Sequence, residues 1–294
     1  MIISCSRRTD VPAFYGDWFF NRLREKYVLV RNPVNPRQVR NVSLTLPDVD
    51  CIVFWTKNPA PMLDRLHLLK DYPKYFQFTL TPYDRDVEPN LPPKSEMIDT
   101  LLRLSDKIGK KRIIWRYDPV LLTDKISIDY HVDHFGDLAK RLFGHTERCV
   151  ISFIDRYRHI QNRMADLCIR PPDESEMRTL AKNIAKIAGS FGMAVETCAE
   201  AIDLSDIGIG HGKCIDDRLI SELTGTKLRI AKDKYQRELC GCATSVDIGE
   251  YNTCRYGCRY CYANVSQKKI EKNQSLHYTQ SPLLIGDRSP CESQ

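Results

Sequence analysis

The stretch Cys51-Ile-Val-Phe-Trp-Thr56-Lys-Asn-Pro59 sets the reading of the chain. Its apolar residues run without alternation and stop at a polar turn. Such a run fits a strand buried on both faces, as in a parallel sheet. The same pattern recurs at Ile2–Cys5, Phe76–Thr81, Arg112–Arg116, Cys149–Ile154, Ala194–Cys198 and Ser245–Ile248. Helical patterns lie between most of these runs. Phe14, Trp18, Phe19 and Leu23 share one side of a helix, and Ile128, Val132, Phe135, Leu138 and Leu142 form a second stripe. Ser95 can cap a third helix, which Gly109 ends, and Asp173 with Glu176 reads as a capping pair before a fourth. Alternating strands and helices imply βαβ units. The expected fold is α/β, a (β/α) barrel or partial barrel of mainly parallel strands. Val28–Val30 and Val39–Leu44 suggest a hairpin excursion. A single domain over 1–266 is expected, followed by a polar C-terminal tail, 267–294, anchored only at Pro282–Ile285.

Composition narrows the class. The chain has 294 residues, 42% hydrophobic and 28% charged. No run approaches 18 apolar residues, so no membrane span is expected. Met1–Arg8 reads as a strand and not as a signal peptide, which points to a cytoplasmic protein. In a reducing cytosol the 12 cysteines are thiols, and that many favour metal or cluster ligation. The net charge of +6 permits an anionic substrate or a nucleic acid without demanding either.

Polar residues follow directly on the strands: Ser6–Asp10, Thr56–Pro59, Thr81–Tyr83, Arg116–Pro119, Asp155-Arg156 and Glu196–Glu200. Any one strand end is polar where it meets water; repetition over six strands points to a site at the C-terminal ends of a parallel barrel. The candidates for catalysis and substrate holding are Arg7, Arg8, Asp10, Lys57, Arg116 and Asp118, which can make charge-assisted hydrogen bonds. Asp118 and Glu196 could equally serve to orient or neutralise the arginines.

The densest chemistry is Cys254-Arg-Tyr-Gly-Cys258-Arg-Tyr-Cys261-Tyr-Ala-Asn264. Three cysteines at x3 then x2 spacing could be half of a zinc site or buried thiols. The spacing resembles the cluster loop of radical S-adenosylmethionine (SAM) enzymes, where three thiolates hold a [4Fe-4S] cluster and the fourth iron stays open for SAM. On that resemblance Cys254, Cys258 and Cys261 are metal ligands, and Tyr260, Tyr262, Thr9, Asp10 and Asn58 are the residues expected around SAM. A second set, Cys198, Cys214, Cys240 and Cys242, can complete a closed [4Fe-4S] or zinc site, and Gly212 and Gly241 would let the backbone approach it. Cys5, Cys51, Cys149 and Cys168 read as core thiols. Cys5 stands at a strand end where it could also face the site, and it is kept as a catalytic candidate. Cys291 reads as a free thiol in the tail. His131, His134, His145 and His159 read as surface groups.

Ile3–Tyr15, Phe54–Pro59, Trp115–Pro119, Glu196–Glu200 and the Cys254-x3-Cys258-x2-Cys261 loop together resemble the family called domain of unknown function 1848, over about residues 1–285. The resemblance implies a C-terminal cluster loop similar to that of radical SAM enzymes and no particular substrate. Because that loop normally follows the first strand of the barrel, a circular permutation is expected, with Ser245–Ile248 as first strand and Ile2–Cys5 as second. The functional expectation is an iron–sulfur enzyme, reduced by a donor such as a flavodoxin or ferredoxin. It would cleave SAM to a 5′-deoxyadenosyl radical that takes hydrogen from an unknown substrate, a small molecule or a nucleic acid. One alternative is an enzyme resembling spore photoproduct lyase, with Arg255, Tyr256, Arg259 and Tyr260 facing nucleic acid. The other is a non-catalytic binding protein stabilised by a metal or cluster.

Overall fold

The computed structural model describes residues 1–155 and 157–286; Arg156 and Cys291 lie outside the described residues. Each apolar run becomes a strand: β1 (Ile2–Cys5), β4 (Cys51–Thr56), β5 (Lys74–Thr79), β6 (Ile113–Val120), β7 (Arg148–Phe153), β8 (Ala194–Thr197) and β10 (Val246–Asp247). The excursion is a hairpin of β2 (Tyr27–Arg31) and β3 (Val39–Ser43). A two-residue strand with no apolar run, β9 (Gly210–His211), was not legible in the sequence. The main sheet has the order β10-β1-β4-β5-β6-β7-β8-β9, and every neighbouring pair is parallel. It is an open sheet among the described residues: β9 and β10 are its two edges and do not pair. The closed barrel is therefore not formed. Its would-be closing strands are two residues each and pair only with β8 and β1.

The helices are α1 (Val11–Phe14), α2 (Gly16–Glu25), α3 (Lys94–Ile108), α4 (Ile128–Arg141), α5 (Gln161–Ala165), α6 (Glu174–Ser190), α7 (Asp217–Thr224) and α8 (Gln267–Ser275). Asp173 and Glu176 make the expected reciprocal capping box at α6. Ser95 does not cap α3: that helix starts one residue earlier, at Lys94 after Pro93, with no side-chain cap. Proline's fixed φ already suits the helix start.

Alternate strand residues face opposite sides. Ile3, Phe54, Phe76 and Trp115 pack with Trp18, Phe19, Leu101, Phe135 and Leu180 of the helices. The rings stack as Phe54 on Phe76, 4.6 Å between centroids, and Trp115 on Phe135, 4.7 Å. Ile2, Val53, Tyr75, Ile114 and Val150 on the other side are covered by Ile215, Leu219, Ile220 and Ala243. The cysteine-rich segment is thus the second cover of the sheet, although it carries little regular structure.

Cys51 and Cys149 are core thiols, as expected. Cys168 is not: it is exposed, at φ 52° just after α5. His131 is fully buried instead of lying at the surface; Tyr117 Oη is 2.8 Å from its Nδ1 and the Leu121 carbonyl 2.8 Å from its Nε2. A polar tail was expected after residue 266, but 267–275 form α8, whose polar composition hid it. The anchor at Pro282–Ile285 is as expected: Trp18 Nε1 donates to the Ser281 and Leu283 carbonyls, both 3.0 Å, and Leu29 N–H to that of Pro282. No helix is long and apolar enough to cross a membrane.

Gly249 follows β10 and presses against the turn after β1. A Cβ there would lie 2.1 Å from Ser6 Oγ and 2.5 Å from Ser6 Cβ. Gly249→Ala is expected to destabilise the protein by about 1–3 kcal/mol, the range for overpacking a tight contact. Urea unfolding measures it, and a midpoint equal to that of the wild type would refute the contact's importance.

Candidate functional site

The polar strand ends meet at one cavity of 520 Å³, lined by the Ser6–Asp10 turn, Lys57, Arg116, Asp118 and both cysteine sets. Its floor is fixed by carboxylates. Asp247, on β10, accepts from Ser4 Oγ at 2.9 Å, Ser6 Oγ at 2.5 Å and the N–H groups of Arg7 at 2.8 Å and Gly249 at 3.0 Å. One side chain therefore ties the end of β1 to the end of β10.

Asp10 does comparable work between β1 and β4. It caps α1 through Ala13 N–H at 3.0 Å and accepts from Thr56 Oγ1 and Lys57 N–H, both at 2.7 Å. Burial pushes its pKa up to about 6, against those hydrogen bonds. Its acceptor capacity is used within the protein, so a positioning role suits it better than contact with cofactor. Thr9, by contrast, is 5% exposed, and its hydroxyl has no hydrogen-bond partner. It is an orphaned polar group in the cavity wall.

Lys57 is held by Glu88, a fully buried carboxylate that sequence reading did not single out. Glu88 Oε1 accepts from Lys57 Nζ at 2.7 Å, from Thr81 Oγ1 at 2.9 Å and from Tyr260 Oη, and Oε2 pairs with Lys94. Burial would raise its pKa, but the two ammonium groups win and lower it to about 2. Lys57 also lies 5.6 Å from the Tyr260 ring centre, in cation–π range. On the next strands Arg116 pairs with Asp118, which also accepts from Ser152 Oγ, and its other amine donates to Cys214 Sγ at 2.7 Å. Its guanidinium lies 5.1 Å from the Trp55 ring centre.

The loop of Cys254, Cys258 and Cys261 is knitted to its surroundings by its backbone. Its carbonyls accept from Tyr15 Oη (at Thr253, 2.7 Å), Asn264 Nδ2 (Cys254, 2.8 Å), Asn90 Nδ2 (Arg255, 2.9 Å) and Arg163 Nη2 (Cys261, 3.0 Å). Gly257, at φ 69°, supplies the left-handed turn between the first two cysteines. Burial pushes all three thiols upward, Cys258 to about 12, and the other two thiols push Cys254 up further. Asn264, 2% exposed, donates to the Cys254 carbonyl and has an unpartnered Oδ1. Three thiols and an orphaned hydroxyl lining one cavity are the donor types that a cluster with one open position and a polar ligand beside it would need. Among the described residues, no three His, Cys, Asp or Glu side chains are arranged to hold a single metal ion.

Two candidates do not reach the cavity. Cys5 is buried with Ile3 on the helix side of the sheet. Asn58 turns away to accept from Ala60 N–H at 3.1 Å. Tyr262 does line it and donates to the Arg7 carbonyl at 3.2 Å. The loop's tyrosines are inward: Tyr256 packs on Phe14, 4.6 Å between centroids, and Tyr260 reaches Glu88. Gly212 serves the strand and not a cluster, since a Cβ there would lie 2.6 Å from Glu196 Oε2. Gly241 approaches Lys213. Glu200 was quoted only as part of a motif. Burial raises its pKa to about 7 as it accepts from Phe153 N–H at 2.9 Å.

The chain belongs to the family described as Domain of unknown function (DUF1848), whose model matches residues 2–263. No curated protein and no solved structure matches it. The matched range takes in both cysteine sets and leaves out α8.

Glu88 is the site's most exposed weakness to substitution. Glu88→Gln leaves two buried ammonium groups without their counter-charge and is expected to cost about 3–5 kcal/mol in urea unfolding at pH 7. Because the folded pKa is depressed, the carboxylate's contribution is present above the ordinary glutamate range, near 4.5, and is lost as pH falls toward about 2. The wild type should therefore lose more stability than the variant across that window. Parallel acid profiles for the two would show that Glu88 is not ion-paired.

Proposed function

We propose that the protein is a radical SAM enzyme acting on a small molecule, with a [4Fe-4S] cluster on Cys254, Cys258 and Cys261. One observation carries the reading: those three cysteines line the same cavity, at the C-terminal ends of parallel strands, as the Ser6–Asp10 turn. When bound, such a cluster supplies one-electron cleavage of SAM to a 5′-deoxyadenosyl radical, which abstracts hydrogen from the substrate. A flavodoxin or ferredoxin would deliver the electron, in a reducing, cytoplasmic setting that keeps the thiols free.

The permutation belongs to this proposal. β10 pairs with β1 in parallel, Ile3 opposite Val246 and Ser4 opposite Asp247, and the cysteine loop follows β10. β10 then takes the place of a first strand and β1 that of a second, so the Ser6–Asp10 turn falls where SAM is held. Within it Thr9 has a free hydroxyl to offer, while Asp10 and Asp247 fix the turn's course. Lys57 and Tyr260, clamped by Glu88, present a cation and a ring edge beside Cys258. Arg116 and Asp118 line the same cavity as an ion pair that keeps the end of β6 in place. A volume of 520 Å³ falls within the about 300–1,000 Å³ of small-molecule sites. Tyr256 and Tyr260 turn inward onto Phe14 and Glu88, so these two loop tyrosines do not stack on bases.

Anaerobically reconstituted with iron and sulfide, reduced and given SAM, the protein is expected to release 5′-deoxyadenosine. Cys258→Ala should abolish the product. Thr9→Val should weaken SAM binding by about three- to tenfold, the worth of one hydrogen bond. An intact, reduced cluster that neither binds nor cleaves SAM would rule the reading out in favour of a binding or electron-transfer role.

A further inference from the structure

We infer that Cys198, Cys214, Cys240 and Cys242 form a second metal centre, a closed site in which four thiolates hold a soft metal as a zinc ion or a [4Fe-4S] cluster. The assignment does not depend on what the Cys254–Cys261 loop binds. The four cysteines come from three places in the chain: the end of β8, the turn after β9, and the Cys-Gly-Cys run before β10. The fold nevertheless brings them together: Cys198 Sγ lies 3.0 Å from Cys214 Sγ, and all four cysteines line the same cavity. Cys214, Cys240 and Cys242 are 3%, 7% and 2% exposed.

Cys214, Cys240 and Cys242 share an apolar cluster with the core thiol Cys51, but unlike it they have two N–H donors aimed at their sulfurs. Arg116 Nη1 lies 2.7 Å from Cys214 Sγ, and Ile215 N–H donates to Cys242 Sγ at 3.4 Å. Donors on sulfur favour the thiolate, the form that binds metal. Four thiolates around one dication, or around an oxidised cluster, leave an excess of negative charge, and Arg116 and Arg7 border the group.

The surrounding segment supplies a mechanical reason. Residues 214–243 cover the face formed by Ile2, Val53, Tyr75, Ile114 and Val150, yet their only helix or strand is the eight-residue α7. Isolated short elements do not hold themselves. A metal joining Cys198, Cys214 and the Cys240–Cys242 pair would pin this cover at three points, and for such sites the binding energy is folding energy. The four sulfurs are not gathered around a single point, so metal binding draws them together. The centre forms the wall of the cavity on the side of Arg116, with Cys198 and Cys242 lining the same space as Cys258.

The test uses the full chain with Cys254, Cys258 and Cys261 all changed to Ala, purified without oxygen and analysed for zinc, iron and sulfide. It should retain one zinc, or about four iron and four sulfide, per chain. Adding Cys214→Ser and Cys242→Ser should lower that metal at least tenfold. Iron with sulfide identifies a cluster, zinc alone an ion, and both support the centre. Should the five-fold variant not fold, alkylation of the wild type decides: the four thiols should be protected until a chelator is added. Equal alkylation with and without chelator overturns the inference. So does a folded triple variant that takes up neither metal, or one that carries a Cys198–Cys214 disulfide. A triple variant holding as much metal as the wild type would sink the proposed radical SAM function while leaving this centre standing.

Discussion

Everything in the site hangs on the carboxylate of Asp247. It is a short side chain on a two-residue strand near the end of the matched family range, and it accepts four hydrogen bonds from the other end of the chain or from its own turn. A buried carboxylate is expensive unless its lone pairs are filled, so the geometry around it is closely determined. Satisfying it forces β10 beside β1, and Gly249 lets the chain leave β10 against Ser6 without collision. The cysteine loop then has no choice but to emerge next to the Ser6–Asp10 turn. A contact between residues more than 240 positions apart thus creates the cavity, which neither segment could form alone.

A second constraint acts on the sheet as a whole. Parallel strands that are apolar on both faces need two covers. The helices α1, α2, α3, α4 and α6 supply one, with large aromatic rings from both layers interlocked. The other is an irregular segment rich in cysteine and glycine. That asymmetry explains why the sheet stays open: the space a closed barrel would enclose is taken by Ile215, Ile220 and their neighbours. It also places four thiols against the floor of the cavity, where plain apolar residues would have covered the sheet at least as well.

The parts legible in the sequence were those governed by local periodicity. Uninterrupted apolar runs gave seven strands of the main sheet, and the Asp173–Glu176 spacing gave a capping box. What stayed hidden was set by contacts distant in sequence. Glu88 sits in a loop among other acidic residues, and nothing local marks it as the partner of Lys57, Lys94 and Tyr260. His131 looks like any polar residue on an amphipathic helix until Tyr117 and the Leu121 carbonyl take up its two nitrogens. β9 has no side-chain pattern at all, since its pairing is with backbone of β8. Cys5 misled for a related reason: strand ends were legible, but which face a residue takes depends on register.

Charge is where composition and site part company. A net +6 with four cationic candidates at strand ends invites the idea of a cavity built for anions. The structure spends those cations internally. Arg116 is paired with Asp118, Lys57 with Glu88, and the guanidinium groups of Arg7 and Arg8 lie 3.9 and 4.0 Å from Asp247. A ligand carboxylate or phosphate would have to displace a partner that is already desolvated, which removes most of the gain from a new ion pair. Groups without internal partners are of another kind: the hydroxyl of Thr9 and the indole N–H of Trp55. Recognition in this cavity therefore falls chiefly to neutral hydrogen bonds. Its arginines and lysine act chiefly as scaffolding that keeps the carboxylates, and through them the strand ends, in place.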